Sequence, residues 1–121
     1  INEVWHYFAG GAPGGNWHAT SDDGKTFDFY ETNSFFANGS QYMMTNGIQF
    51  ADGTYRYYAF ANHEPDTVSF TTTNGYDWTY EGVALKLDES NGLEYEHVKD
   101  ATVIELTDGT YLMVYVTRIP Q

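Results

Sequence analysis

The side chains in this sequence that could do chemistry are carboxylates and imidazoles. Asp100, Glu64, Glu94 and Glu96 are carboxylates of the kind that general acid–base work uses, one group giving a proton and another accepting it or stabilising charge. His63 and His97 stand in the same stretches and are candidate substrate-binding residues, as are Trp17 and Tyr95, whose rings could stack on a ligand. The four histidines, at 6, 18, 63 and 97, show no i, i+2 or i, i+4 spacing, so no metal site is assigned and no cofactor is expected. A divalent cation such as calcium stays open, because imidazole from His63 or His97 could join Glu64, Glu94 or Asp100. His6 and His18 fall inside strand-like runs beside Trp5 and Trp17, where packing is the default.

These residues need a scaffold, and the scaffold repeats. Gly47-Ile48-Gln49-Phe50-Ala51-Asp52-Gly53-Thr54-Tyr55 returns 56 residues later as Val103-Ile104-Glu105-Leu106-Thr107-Asp108-Gly109-Thr110-Tyr111. Ser21-Asp22-Asp23-Gly24-Lys25-Thr26-Phe27 returns 51 residues on as Thr72-Thr73-Asn74-Gly75-Tyr76-Asp77-Trp78. Alternating apolar and polar residues between turn dipeptides predict nine strands, near 3–9, 16–21, 26–32, 45–51, 54–61, 67–73, 78–86, 101–107 and 110–117. Asp52-Gly53 and Asp108-Gly109 predict primed hairpin turns, and Asp23-Gly24 and Asn74-Gly75 two further hairpins.

Naming the strands of one unit A to D, residues 3–32 supply B, C and D, residues 45–86 a complete unit, and 101–117 A and B of the next. Four-stranded antiparallel units at this period predict an all-β fold, a β-propeller with about two and a quarter blades in the chain. A plain nine-stranded sandwich is the competing architecture, but it needs no matched turns.

Composition agrees with strands. Aromatic residues make up 18% of the 121, with 11 Tyr and 8 Phe, and there is no Cys for disulfides or thiolate metal sites. Seventeen acidic residues against 5 basic ones give a net charge of −12, which argues against nucleic acid and anionic membranes as partners. The glycine run from Gly10 to Gly15 joins two strands and opens no helix, so it does not read as a phosphate loop. A chain that starts at Ile1 reads as processed, trimmed or excerpted; a removed signal peptide would make the protein secreted or periplasmic.

The two repeated turns resemble the Asp-box of sialidase-type propellers, Ser-x-Asp-x-Gly-x-Thr-Trp, with one residue fewer between the acid and the glycine. Lys99-Asp100-Ala101-Thr102-Val103-Ile104, followed by Asp108-Gly109-Thr110-Tyr111, resembles the opening of blades in five-bladed glycoside hydrolases of the arabinanase, xylosidase and levansucrase kind. Ala101 stands where that pattern has Pro. The resemblance implies a carbohydrate ligand, with Asp100 presented into an axial pocket and Glu64, Glu94 or Glu96 as the second carboxyl group. Trp17, Tyr42 and Tyr95 would then stack on sugar rings. Asp-box turns themselves are structural: the acidic or amide side chain binds its own turn and the terminal aromatic packs between strands.

Hairpin connectivity gathers the tight repeated turns at one end of the strands. It leaves the irregular connections 10–15, 33–44, 62–66 and 87–99 at the other, where binding residues concentrate. Aligning the two A strands sets Met44 opposite Asp100, so the acid belongs to one unit and not to the repeat. The expected function is a glycoside hydrolase-like propeller acting on or binding carbohydrate. The alternatives are a non-catalytic carbohydrate-recognition propeller and a structural fragment. About two and a quarter blades cannot close a ring, so self-association is also expected.

Overall fold

The structure is a computed structural model describing residues 1–12, 15–31 and 35–119. It is all-β. The strands are β1 (Trp5–Ala12), β2 (Gly15–Ser21), β3 (Asp28–Glu31), β4 (Phe36–Ala37), β5 (Ser40–Gln41), β6 (Met43–Gln49), β7 (Tyr55–Phe60), β8 (Thr67–Thr72), β9 (Thr79–Leu85), β10 (Tyr95–Glu105) and β11 (Tyr111–Arg118). One 3-10 turn spans Glu89–Asn91. Among the described residues no helix is long and apolar enough to cross a membrane.

Every strand pairs antiparallel with its sequence neighbour, in open sheets ordered β1-β2-β3, β6-β7-β8-β9 and β10-β11, with β4-β5 a small hairpin between the first two. Phe8 of β1 stacks edge-on against Phe35, Tyr57 and Trp78, and joins the buried cluster of Phe35, Tyr42, Ala59, Ala61, Val68 and Phe70. On the other face of the four-stranded sheet, Tyr58 is buried with Ala101 and Val103 while Ile48, Met113 and Tyr115 pack around them. Burying each of the larger apolar side chains contributes about 1.5–3 kcal/mol, so these two seams hold the three sheets together.

Polar groups fix how the second and third sheets meet. Thr45 Oγ1 shares its one proton between the carbonyls of Tyr58 and Ala101, at 3.1 and 2.8 Å, and the Val103 amide donates to Asn46 Oδ1 at 2.9 Å. Both backbone groups of Val98 are also used, its N–H by Pro65 O at 2.8 Å and its carbonyl by Thr67 Oγ1 at 2.9 Å.

The Asp-Gly turns differ from the expected primed form. Gly53 has φ of 85° and Asp52 does not share the left-handed conformation; Gly53 N donates to Phe50 O, and Phe50 N to Thr54 O. These are three-residue loops ending in a left-handed glycine, favoured because Asp52 Oδ1 accepts the Thr54 amide at 2.9 Å. Asp108, Gly109 and Thr110 repeat the arrangement. In the Asp-box-like turns, Asp23 Oδ1 accepts from the Lys25 and Thr26 amides and Asn74 Oδ1 from those of Tyr76 and Asp77, while Ser21 and Thr72 hydroxyls accept from the glycine amides.

Two further expectations are corrected. β10 starts at Tyr95 and not near 101, so Tyr95, Glu96 and His97 are strand residues instead of loop residues. The segment 33–44 contains the β4–β5 hairpin as well as the start of β6. Parts of the expected irregular connections, 13–14 and 32–34, lie outside the described residues.

Candidate functional site

The turn Ala61-Asn62-His63-Glu64 is closed by a hydrogen bond from the Glu64 amide to Ala61 O at 3.2 Å. It projects the Glu64 carboxylate toward β5 and the start of β6. There Ser40 Oγ donates to Glu64 Oε1 at 2.6 Å and the Tyr42 hydroxyl to Oε2 at 2.9 Å. Burial and the adjacent Glu64 carboxylate push the Tyr42 phenol well above its ordinary range, so it stays a donor. Tyr42, expected as a sugar platform, is instead buried in the core with its hydroxyl committed to the carboxylate.

Glu64 shares a small cavity, about 40 Å³, with Phe60, Ala61, Asn62, His97 and Lys99. The Lys99 ammonium sits 5.6 Å from the centre of the Phe60 ring, a cation–π contact that keeps it at the cavity. His97 is held below the usual imidazole range first by burial and then by the cations Lys99 and Arg118, against the opposing pull of Glu96 and Asp100. It is therefore a neutral donor and acceptor at pH 7.

The next residue along β10 after Lys99 is Asp100. Its carboxylate is exposed and makes no hydrogen bond or ion pair among the described residues, and its backbone is left-handed, φ 52°. The strand register slips between Lys99 and Thr102, and the same slip occurs in β6 between Met44 and Asn46. Lys99 pairs with Val116 as Met43 pairs with Phe60, and Thr102 with Val114 as Asn46 with Tyr58. The bulge is thus part of the repeat. The left-handed acid is not, because Met44 has no positive φ. A left-handed non-glycine residue costs about 1–3 kcal/mol, and bulges re-aim side chains beside functional sites.

The other expected acids are placed differently. Glu94 is 6% exposed; Tyr115 donates to Oε1 at 2.6 Å and the Asp88 amide to Oε2 at 2.8 Å, and these bonds, the tyrosine's first, hold it below the usual carboxylate range. Glu96, also left-handed at φ 64°, is exposed and lies 2.6 Å from Arg118 Nη1 in an ion pair. Tyr95 is exposed at the start of β10, and His63 is exposed in the turn before Glu64. Trp17 is exposed on β2 against Phe29, outside the cavity.

The structure therefore brings together Glu64 and His97, with Asp100 on the adjoining strand segment. It leaves Glu94, Glu96 and Trp17 in separate surroundings. Ser40, Asn62 and Lys99, and Tyr42 as a carboxylate donor, are not among the residues expected from the sequence. Asn62 and Lys99 adjoin recognised residues in the chain, and that adjacency was their only signal. Among the described residues no group of three or more His, Asp or Glu side chains is placed to hold a metal ion. Comparison with protein-family models and with curated proteins finds no match to this chain.

Proposed function

We propose that this chain supplies blades of a glycoside hydrolase-like β-propeller that acts on or binds carbohydrate at the Glu64–His97–Asp100 end of its sheets. Three stacked antiparallel sheets with repeated registers and repeated turns support the propeller reading. The observation that carries the functional reading is Asp100: an exposed carboxylate with no hydrogen bond or ion pair among the described residues, held by a strained bulge whose repeat equivalent, Met44, is neither acidic nor left-handed. In this reading Asp100 is one of the two carboxyl groups that flank the scissile glycosidic bond, and Glu64 is the other. Asn62, His97 and Lys99 supply donors for sugar hydroxyls, and Tyr95 offers a ring face near the same strand.

A second reading, recognition without turnover, is favoured by the two hydroxyls that already occupy Glu64. A carboxylate so fixed is a good acceptor for a sugar hydroxyl and a less mobile participant in proton transfer. Hydrolysis of a panel of aryl glycosides and polysaccharides by the wild type and by Asp100→Asn separates the two. Turnover lost in the variant supports hydrolysis; glycan-array binding with no turnover in either protein supports recognition; neither turnover nor binding defeats both.

A further inference from the structure

The three main sheets stack with one polarity. In β7, Tyr57 faces Phe8 of the first sheet and Tyr58 faces Ala101 and Val103 of the third. Register makes Tyr7 the equivalent of Tyr57, since Tyr7 pairs with Ala19 as Tyr57 pairs with Phe70. Trp17 is likewise the equivalent of Val68, and Phe29 of Tyr80. Each sheet therefore shows a Tyr57-type face to the sheet before it and a Tyr58-type face to the sheet after it.

Each outer sheet leaves one of these faces bare, and the two bare faces are of opposite type. On the first sheet it is the Tyr57-type face, with Trp5, Tyr7, Trp17 and Phe29 exposed and Phe27 edge-on against Tyr7. Trp17 is 46% exposed where its equivalent Val68 is 1% exposed. On the third sheet it is the Tyr58-type face, carrying Ile104, Leu112, Val114 and Val116; Val114 is 61% exposed where its equivalent Tyr58 is 8% exposed. Five half-exposed aromatics leave bare on the order of 500 Å² at one end alone, as large as the largest apolar patch of a typical monomer and well toward one side of a stable interface.

We infer that a second copy of this chain covers these surfaces head to tail, the aliphatic face of β10–β11 of one copy seated on the aromatic face of β1–β2–β3 of the next. The two internal seams already join a Tyr58-type face to a Tyr57-type face, so the new contact continues an interface that the fold uses twice. The contact is heterologous: the two surfaces differ, and copies add in sequence until the rotation closes a ring. This inference stands apart from the carbohydrate reading, because neither bare face contains Glu64, His97 or Asp100.

Sedimentation of the wild type and of two surface variants at micromolar concentration tests it. The wild type sediments at a multiple of its 13.7 kDa monomer mass. Phe29→Glu spoils the aromatic face and Val114→Glu the aliphatic face, and each weakens association at least about ten-fold by burying an unpaired carboxylate. An equimolar mixture of the two variants recovers a heterodimer, because each retains one intact half of the interface. A monomeric wild type overturns the inference, as does association that survives both substitutions. Since the chain has no cysteine, disulfide trapping gives a second measurement in which folding is less at risk. Tyr7→Cys mixed with Val114→Cys, the equivalents of Tyr57 and Phe8 that meet at the first internal seam, cross-links faster than either protein alone; equal rates in the separate proteins overturn the head-to-tail geometry.

Discussion

His6 Nδ1 lies 2.9 Å from His18 Nε2, and the outer nitrogens of both rings, His6 Nε2 and His18 Nδ1, are buried without partners among the described residues. Whichever ring donates the shared proton, the other carries an N–H with no acceptor. A second proton adds a charge and another unpaired donor among Phe8, Tyr30 and Tyr76. Burial, and next the neighbouring His6, lower His18 to about 4; burial and the N-terminal ammonium lower His6.

Stability is therefore expected to fall as pH drops. The unfolded chain protonates these histidines near 6.5 while the folded chain resists, so the pair's contribution is complete above 6.5 and is lost progressively toward 4. For His18 the loss is on the order of 3 kcal/mol. Urea unfolding from pH 7.5 to 5 reads it above the range in which carboxylates dominate, and His18→Phe flattens the slope. A wild-type profile that is level between 7 and 5 contradicts the pairing.

Gly75 presses on the same pair. Its φ is 83°, and a Cβ there would lie 2.5 Å from His6 Cε1, whereas Gly53, at 85°, has open space around it. Gly53→Ala is expected to cost about 1 kcal/mol from the left-handed backbone alone. Gly75→Ala costs more, about 2–4 kcal/mol, because the His6 ring must also move. Equal losses in denaturant midpoint for the two variants would remove the contact from the account.

Asn46→Ala is expected to loosen the second seam. It leaves the Val103 amide, beside the buried Ala101 and Val103 side chains, without its acceptor, at a cost of about 1–3 kcal/mol. Hydrogen exchange at Val103 reports this directly, accelerating in the variant while amides of the β7–β8 pairs change little. Unchanged exchange at Val103 would mean that Asn46 does not hold β10.

Much of this architecture is legible in the sequence because turns and alternation are local signals. The places of the Asp-Gly turns, the Asp-box-like turns and strands β7 and β8 all follow from residues within a few positions of one another. The start of β10 does not. Tyr95-Glu96-His97-Val98-Lys99-Asp100 is charged and lacks alternation, and it becomes strand only because β11 pairs with it through two bulges and the β7–β8 connection binds Val98. The hydroxyl clasp on Glu64 was equally invisible, since Ser40 and Tyr42 lie more than twenty residues away along the chain.

Glu94 tests whether a candidate acid is structural. Its folded-state affinity for protons is lowered, chiefly by the Tyr115 hydroxyl, so its stabilising contribution is present above about 4.5 and disappears as pH falls below that. Glu94→Gln is expected to lower the thermal midpoint at pH 7 and to leave any carbohydrate turnover or affinity within about two-fold of wild type. Loss of turnover with an unchanged midpoint would move Glu94 into the site.

The most direct test is the ratio of kcat/KM for wild type and Asp100→Asn on the best glycoside substrate found in the panel, with folding verified by circular dichroism. The variant is expected to fold as the wild type does and to lose at least about a hundred-fold in kcat/KM, as removal of a general acid–base group does. Equal kcat/KM in the two folded proteins would contradict a catalytic Asp100.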